Sequence, residues 1–450
     1  MPVVSRHQVA LDLLTDLIGR SRAAGASAAD AVLFESTSLA ASYRLGKRED
    51  IERSESSDLG LRIFLGQRQA FVSSTDRSPA ALQALVERAL AMAKVAPEDK
   101  YCGLADATTL SRDPPELDLA DHSEPDVDAL TERARQAEEA ALAISGVTNS
   151  EGAGADWSHG MVALATSAGF AETYSGSRHG VSVSVIAGSD TGMERDYEFA
   201  SVRHLSDLED AAKIGRDAGE RAVRRLNPRK VATRKVPVVF APRVANSLLG
   251  HLVGAIAGPA VARGTSFLKD KLNQQIFAGN INIIDDPHRR RGLRSKPFDG
   301  EGVANRRIAL IEQGRLTTWL LDSASGRQLG MPSTGHASRG TAGPPSPTVS
   351  NLYLEPGPVT PHELIEDISD GFYVTELIGF GVNPVTGDYS RGAAGFWIEQ
   401  GEIGYPVSEL TIAGNLKDMF LQLTPANDLV FKYGSDSPTI RIEGMTVAGT

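Results

Sequence analysis

The sequence predicts an α+β fold, with mixed and antiparallel sheets flanked by helices. Three observations lead to that expectation. Strand-like and helix-like runs are interspersed along the 450 residues without a regular β–α–β rhythm. Strict alternation at Val181-Ser182-Val183-Ser184-Val185-Ile186 marks a strand with one wet face. The 44 glycines point to many turns and close backbone approaches.

The elements then read in order. A first block, 1–117, opens with an amphipathic helix capped by Ser5, with Leu11, Leu13, Leu14, Leu17 and Ile18 on one side. Strand-like runs follow at 31–34, 40–45 and 61–65, separated by turn residues. Ser78-Pro79 starts a second helix to about Val95, with serine as N-cap and proline in the first position. Residues 113–128 are acidic and proline-rich and read as a linker. A central block, 118–230, holds an expected helix over 127–144, with Glu132, Arg133, Arg135, Glu138 and Glu139 on its wet face. A further helix over 208–226 stops at Asn227-Pro228. The last block, 231–450, is richest in glycine.

Composition excludes several classes. Hydrophobic content of 41% and charged content of 23% exclude wholesale disorder. A net charge of −11 argues against nucleic acid as the main partner, because neutralising phosphates needs a basic surface. The single Cys102 excludes an intramolecular disulfide framework and a cysteine-cluster metal site. The N-terminus lacks the apolar core of a signal peptide. Residues 244–262 are uncharged, but Asn246, Ser247, His251 and Pro259 make them too polar for a span. A buried, glycine-faced helix fits them better, and the cytoplasm is the expected location.

Most short motifs dissolve on inspection. His362-Glu363 is followed by Glu366 where a zinc helix needs its second histidine, and Thr360-Pro361-His362-Glu363 reads as a capping box. Ser266-Phe267-Leu268-Lys269 matches Ser-x-x-Lys, but its companion motifs are missing. The basic cluster at 288–296 reads by default as a solvated loop, and Asp285, Asp286, Asp299 and Glu301 beside it make a mixture of signs that suits a peptide better than a phosphate backbone. The glycine-dense run 379–392 reads as tight turns, or as exposed backbone along which an extended peptide is laid.

Longer strings carry a resemblance. Leu248-Leu249-Gly250-His251-Leu252-Val253-Gly254 and Gly264-Thr265-Ser266-Phe267-Leu268-Lys269-Asp270-Lys271-Leu272 resemble the PmbA/TldE family. So do Pro297-Phe298-Asp299-Gly300-Glu301-Gly302, the run from Asn383 to Gly392, Gly395-Phe396-Trp397-Ile398-Glu399 and Gly401-Glu402-Ile403. The resemblance implies a PmbA/TldD-like fold and one half of a cytoplasmic TldD/TldE heterodimer. That complex digests small or unfolded peptides in an enclosed chamber; the family also bears the label of a DNA gyrase modulator. Its TldD-type subunit holds zinc through a His-Glu-x-x-x-His helix and a late cysteine, the glutamate activating zinc-bound water. Aligned on Val253-Gly254, this sequence has Gly250, His251 and Ala255 at the three motif positions. Starting instead at His251 gives Leu252 and Ile256, and no cysteine lies near the C-terminus.

The expectation is therefore a TldE-type subunit with no catalytic residue and no metal of its own, zinc being held by a TldD-type partner. Peptide is expected to be bound by Gly381, Asn383, Ser390, Arg391 and Gly392, with Arg391 holding a carboxylate through its two-pronged donors. Neither nucleic acid nor membrane is expected as a partner, and a homodimer is the alternative assembly of the chain alone. Two other readings stand beside it: a non-enzymatic peptide-binding or regulatory protein, and a hydrolase using Ser266 and Lys269.

Overall fold

The computed structural model describes residues 3–449. Its N-terminal part comprises α1 (Val3–Ala23), β1 (Ala28–Arg44), β2 (Lys47–Leu65), β3 (Arg68–Ser74) and α2 (Pro79–Val95). It continues with α3 (Val127–Leu142), β4 (Val147–Thr166), β5 (Ala171–Ala187), β6 (Glu194–Val202) and α4 (Ala211–Arg224). The six strands form one antiparallel sheet in the order β3-β2-β1-β4-β5-β6. β1 and β4 pair from Asp30 opposite Thr166 to Tyr43 opposite Ala153, so one sheet joins the chain on both sides of residues 117 and 118.

The runs expected as separate strands at 31–34 and 40–45 both fall in β1, which ends at Arg44, one residue short of the second run. The polar residues between them stay in the ladder because both neighbours pair there, Glu35 opposite Ser57 and opposite Met161. α1 starts at Val3, ahead of Ser5, whose expected capping side chain lies outside the described residues.

Side chains alternate across β1. Ala29, Ala31 and Leu33 are buried with α1 and α2, while Leu39, Ala41 and Tyr43 are buried with α3 and α4. The two helix pairs therefore cover the two ends of one sheet face and leave the middle uncovered. The opposite face packs Val32 and Leu164 with Phe298 of the C-terminal part.

Side-chain caps set the starts of three helices, and α4 begins at Ala211 rather than at the expected 208. Ser78 accepts a hydrogen bond from Ala81 N–H at 3.3 Å, Asp126 caps α3 through Ala129 N–H at 2.7 Å, and Asp210 caps α4 through Lys213 N–H at 2.8 Å. Glu138 corrects the expected wet face of α3. It is fully buried beside Leu130, Ala134 and Ala141, because its i+4 spacing from Ala134 puts it on the apolar stripe.

The C-terminal part contains β7 (Arg234–Phe240), α5 (Pro242–Ile256), α6 (Gly258–Ala262), β8 (Ile283–Asp285), β9 (Ile308–Glu312), β10 (Arg315–Leu316) and α7 (Ser323–Leu329). After these come β11 (Ala337–Ser338), β12 (Ser346–Pro347), β13 (Leu352–Leu354), β14 (Asp370–Ile378), β15 (Asp388–Glu399) and β16 (Glu402–Asn415). The chain ends with α8 (Leu416–Leu421), β17 (Leu423–Pro425), β18 (Ser435–Asp436) and β19 (Ile440–Ala448). A six-stranded sheet runs β16-β15-β14-β7-β19-β17, a five-stranded sheet runs β10-β9-β8-β13-β18, and β11 pairs with β12. Both larger sheets are mixed, with β14 parallel to β7 and β13 parallel to β18. The fold is thus α+β with mixed and antiparallel sheets, as expected.

α5 packs against β14 of one sheet and against β13 and β18 of the other. It breaks at Ala257, whose backbone is extended, before α6 restarts. Among the described residues no helix is long and apolar enough to cross a membrane.

The capping box at 360–363 is present: Thr360 N–H donates to Glu363 at 2.7 Å, and Glu363 N–H donates to the Thr360 hydroxyl at 3.2 Å. It closes a series of turns rather than a regular helix. The basic cluster ties the central linker to the C-terminal part. Arg291 reaches Asp118 at 2.6 Å and Asp207 at 3.1 Å, and Arg290 reaches Asp118 at 3.0 Å.

Candidate functional site

α5 follows β7 directly, with Pro242 in its first turn. Leu248, Leu249, Leu252, Ala255 and Ile256 bury one side of it in the C-terminal core. Gly250 and Gly254 lie on the exposed side, where an added Cβ would meet nothing within 4 Å. No close approach among the described residues accounts for those two glycines. They leave a strip of helix backbone open to whatever comes against it.

His251 stands between the strip and the core. Its ring meets Tyr389 of β15 edge-on, with centroids 5.8 Å apart and an interplanar angle of 77°. His251 Nε2 and the Tyr389 hydroxyl are both buried, and neither has a hydrogen-bond partner among the described residues. Leaving a buried polar atom unpaired costs about 1–3 kcal/mol, so two together mark a place prepared for a further donor or acceptor. Burial first, and the Arg391 charge second, hold His251 below the ordinary histidine range, so its ring is neutral at pH 7. Burial pushes the Tyr389 hydroxyl well above the ordinary tyrosine value, so it keeps its proton.

All five expected peptide-binding residues lie on one hairpin, 378–392, which leads into β15. Ser390 N–H donates to the Gly381 carbonyl at 2.6 Å, and a Cβ at Gly381 would collide with the Ser390 carbonyl oxygen. Gly392 sits beside Ile378, with 3.2 Å between its would-be Cβ and that of the isoleucine. The glycines thus let the two arms of the hairpin approach each other. Asn383 shapes the turn, its side-chain oxygen accepting from Val385 N–H at 2.9 Å and Thr386 N–H at 3.3 Å. Arg391 is half-buried, donates to the Ile378 carbonyl at 3.3 Å and lies 5.9 Å from the Phe380 ring. Phe380 itself is 99% exposed. The sequence reading missed Phe380 and Tyr389. An aromatic at the tip of a glycine-dense hairpin was the available signal for the first. None pointed to Tyr389, which is packed under the hairpin.

The donor set of α5 does not fit a zinc ion. Gly250 and Ala255 have no ligating atom, and the other alignment supplies only Leu252 and Ile256 beside His251. Arg391 adds a positive charge next to the only imidazole. Ser266 is likewise occupied, its hydroxyl donating to the Ala255 carbonyl at 2.5 Å and accepting from Leu268 N–H at 3.0 Å. It fastens the following segment to the end of α5.

Residues 233–449 match the family model described as the PmbA/TldA metallopeptidase C-terminal domain, 120–226 the central domain, and 29–93 domain 1. Metalloprotease PmbA of Escherichia coli O157:H7 is 40% identical over 454 residues, covering 100% of this chain and 99% of that protein. A PmbA homolog of Haemophilus influenzae is 39% identical over 431 residues, covering 95% of this chain and 93% of its own. A crystal structure from Bacteroides thetaiotaomicron, titled as a candidate modulator of DNA gyrase, has a TM-score of 0.90 and 25% identity over 98% of each chain. TldE from Thermococcus kodakarensis shares the fold, with a TM-score of 0.87 and 22% identity over 97% of this chain and 100% of that one. The chain belongs to the PmbA/TldD metallopeptidase family.

Proposed function

We propose that this chain is the TldE-type subunit of a cytoplasmic, heterodimeric TldD/TldE peptidase acting on small or unfolded peptides. It shapes the chamber and binds peptide, while a TldD-type partner holds zinc. The observation that carries the reading is the donor set of α5, where glycine, histidine and alanine stand at the motif positions a zinc helix would use. The open strip at Gly250 and Gly254 supports a close approach by another backbone at this face.

The residues of this chain then have binding and orienting roles. Arg391 meets a peptide carboxylate, Phe380 offers an apolar contact, and His251 with Tyr389 donates to or accepts from the peptide main chain. Gly381, Asn383, Ser390 and Gly392 hold the hairpin that carries Arg391. No proton transfer is assigned to them.

The test is to purify the chain alone and together with a TldD-type chain from the same genome. The expected result is no stoichiometric zinc and no peptide hydrolysis alone, with both gained in the complex. Bound zinc and peptide turnover by the chain alone would overturn the proposal. A chain that binds peptide but forms no complex and changes no peptide turnover would favour the regulatory reading that the gyrase-modulator title of one structural relative suggests.

A further inference from the structure

The face of the N-terminal sheet that bears no helices meets the C-terminal part over Phe298. Between them lies a cavity of about 120 Å³, partly open to solvent, which shares no residue with α5 or with the 378–392 hairpin. Val32, Phe34, Val162 and Leu164 give it an apolar wall, and the rings of Tyr174 and Phe298 meet edge-on beside it with centroids 5.4 Å apart. An engineered apolar cavity of about 150 Å³ in another protein takes up benzene, so this space suits one small ring or branched chain.

Lys296 brings an amine to that wall. Its Nζ donates to the Ala337 carbonyl at 3.1 Å, and Gly300 N–H donates to the same carbonyl at 2.7 Å. Lys296, Gly300 and Ala337 all line the cavity, so the amine stands where three of its lining residues meet. The lysine backbone is fixed on both sides, its N–H donating to the Pro287 carbonyl at 3.1 Å and its carbonyl accepting from Asn305 Nδ2 at 2.9 Å. A lysine head held at an interior cavity is normally paired with a carboxylate. Lys296 forms no ion pair among the described residues, because the nearby carboxylates are spent elsewhere. Asp299 accepts from the N–H groups of Glu301, Val303 and Ala337 at 2.8, 2.9 and 3.0 Å. Asp285 accepts from Ser350 N–H at 2.8 Å and from its hydroxyl at 2.7 Å. Arg339, the other cation on the wall, donates to Asp30 at 2.6 Å.

We infer that Lys296 is a carbonyl-binding amine, and that the cavity takes a small molecule with an apolar body and an aldehyde or ketone group, which condenses with the amine to an imine. The carbonyl carbon forms a double bond to Nζ, and its oxygen leaves as water carrying both protons of the neutral amine; nothing is oxidised or reduced. A desolvated lysine in an apolar pocket is the form of the side chain that performs this addition. Burial outweighs Asp299 and Asp285 and holds the Lys296 amine below the ordinary lysine range, which favours the neutral nucleophile. A neutral imine is also cheaper to keep among apolar walls than an ammonium. A carboxylate ligand fits less well, since it would set a third acidic group beside Asp299 and Asp285. The site does not depend on the metallopeptidase reading, because none of its residues belongs to α5 or to the 378–392 hairpin.

The experiment incubates the full-length chain at pH 7 with benzaldehyde and cyanoborohydride, which reduces an imine to a stable benzylamine. Peptide mass mapping then times the labelling of each lysine. Lys296 is expected to be labelled at least about tenfold faster than the exposed Lys269 and Lys417, since each unit of lowered pKa gives about tenfold more neutral amine. Phe34→Trp, which fills the cavity, should abolish that preference and leave the exposed lysines as they were. If Phe34→Trp fails to fold, excess benzyl alcohol takes its place, because it fills the same space without a carbonyl and should slow Lys296 alone. Labelling of Lys296 no faster than that of Lys269, or a preference that survives the blocked cavity, would overturn the inference.

Discussion

His251 and Tyr389 face each other edge-on at 5.8 Å, and each brings a buried polar atom without a partner. Folding alone does not reward that arrangement, since an apolar pair of similar shape would avoid the penalty of about 1–3 kcal/mol per atom. Tyr389→Phe deletes one of the two atoms and keeps the ring. Melting of the variant should be unchanged or raised, while peptide turnover by the proposed complex with a TldD-type chain falls about tenfold. Turnover equal to wild type would remove the Tyr389 hydroxyl from peptide binding.

The same pair gives a pH dependence with a defined sign. His251 is held below the ordinary value in the folded chain, chiefly by burial. Below about pH 6.5 the unfolded chain binds a proton that the folded chain refuses, so stability falls as pH falls. His251→Gln removes that proton uptake. The stability difference between variant and wild type, from urea midpoints, should therefore shift in favour of the variant between pH 7 and pH 5. A difference constant over that interval would show that His251 titrates alike in both states.

Gly250 and Gly254 separate packing inside the chain from packing against another one. A Cβ at either position meets nothing within 4 Å. Alanine should stabilise the isolated chain by about 1 kcal/mol per site, through helix propensity. In the complex the same methyl groups would obstruct a backbone laid against the strip. Gly250→Ala/Gly254→Ala should melt higher alone and co-purify less with a TldD-type chain, or turn over peptide more slowly. A variant that melts higher and is otherwise wild type would leave the strip as plain exposed helix.

How far these features could be read from sequence depended on the range of the interaction behind them. The start of α2 was legible because its cap is a bond between residues three apart, whereas α4 begins at Ala211, three residues after the expected 208. β1 was read as two pieces because its polar centre is held by partners in β2 and β4, far along the chain. Glu138 was misassigned because its charge outweighed its spacing from Ala134, although that spacing was visible. The family could be recognised from strings around α5 and β15, yet the contact between His251 and Tyr389 could not, since it exists only once β15 lies beside α5. The cavity beside Lys296 was equally hidden. It is a gap between a sheet face and the C-terminal part, and no residue of a sequence announces where such a gap is left.

The last prediction concerns the seam between the N-terminal sheet and the C-terminal part. Asp30 of β1, 1% exposed, accepts from Arg62 Nε of β2 at 2.9 Å and from Arg339, just after β11, at 2.6 Å. Burial alone would raise its pKa, but Arg339 and Arg62 outweigh it and hold the carboxyl below the usual range. Its contribution is therefore present above the unfolded pKa of 3.8 and is lost as pH falls through the lower folded value. Asp30→Ala removes the carboxylate that both buried guanidinium groups share and should destabilise by about 3–5 kcal/mol at pH 7. The gap to wild type should narrow below about pH 4, where Asp30 of the unfolded chain takes up a proton that the folded carboxylate still refuses. Replacing all three together, as Asp30→Leu/Arg62→Met/Arg339→Met, should recover part of the loss, because the two unpaired guanidiniums go while the buried Glu301 loses the Arg62 charge that faces it. Calorimetric melting of the three proteins checks this. An Asp30→Ala chain that melts with wild type at pH 7 would show that the two arginines find other partners and that the seam does not need its carboxylate.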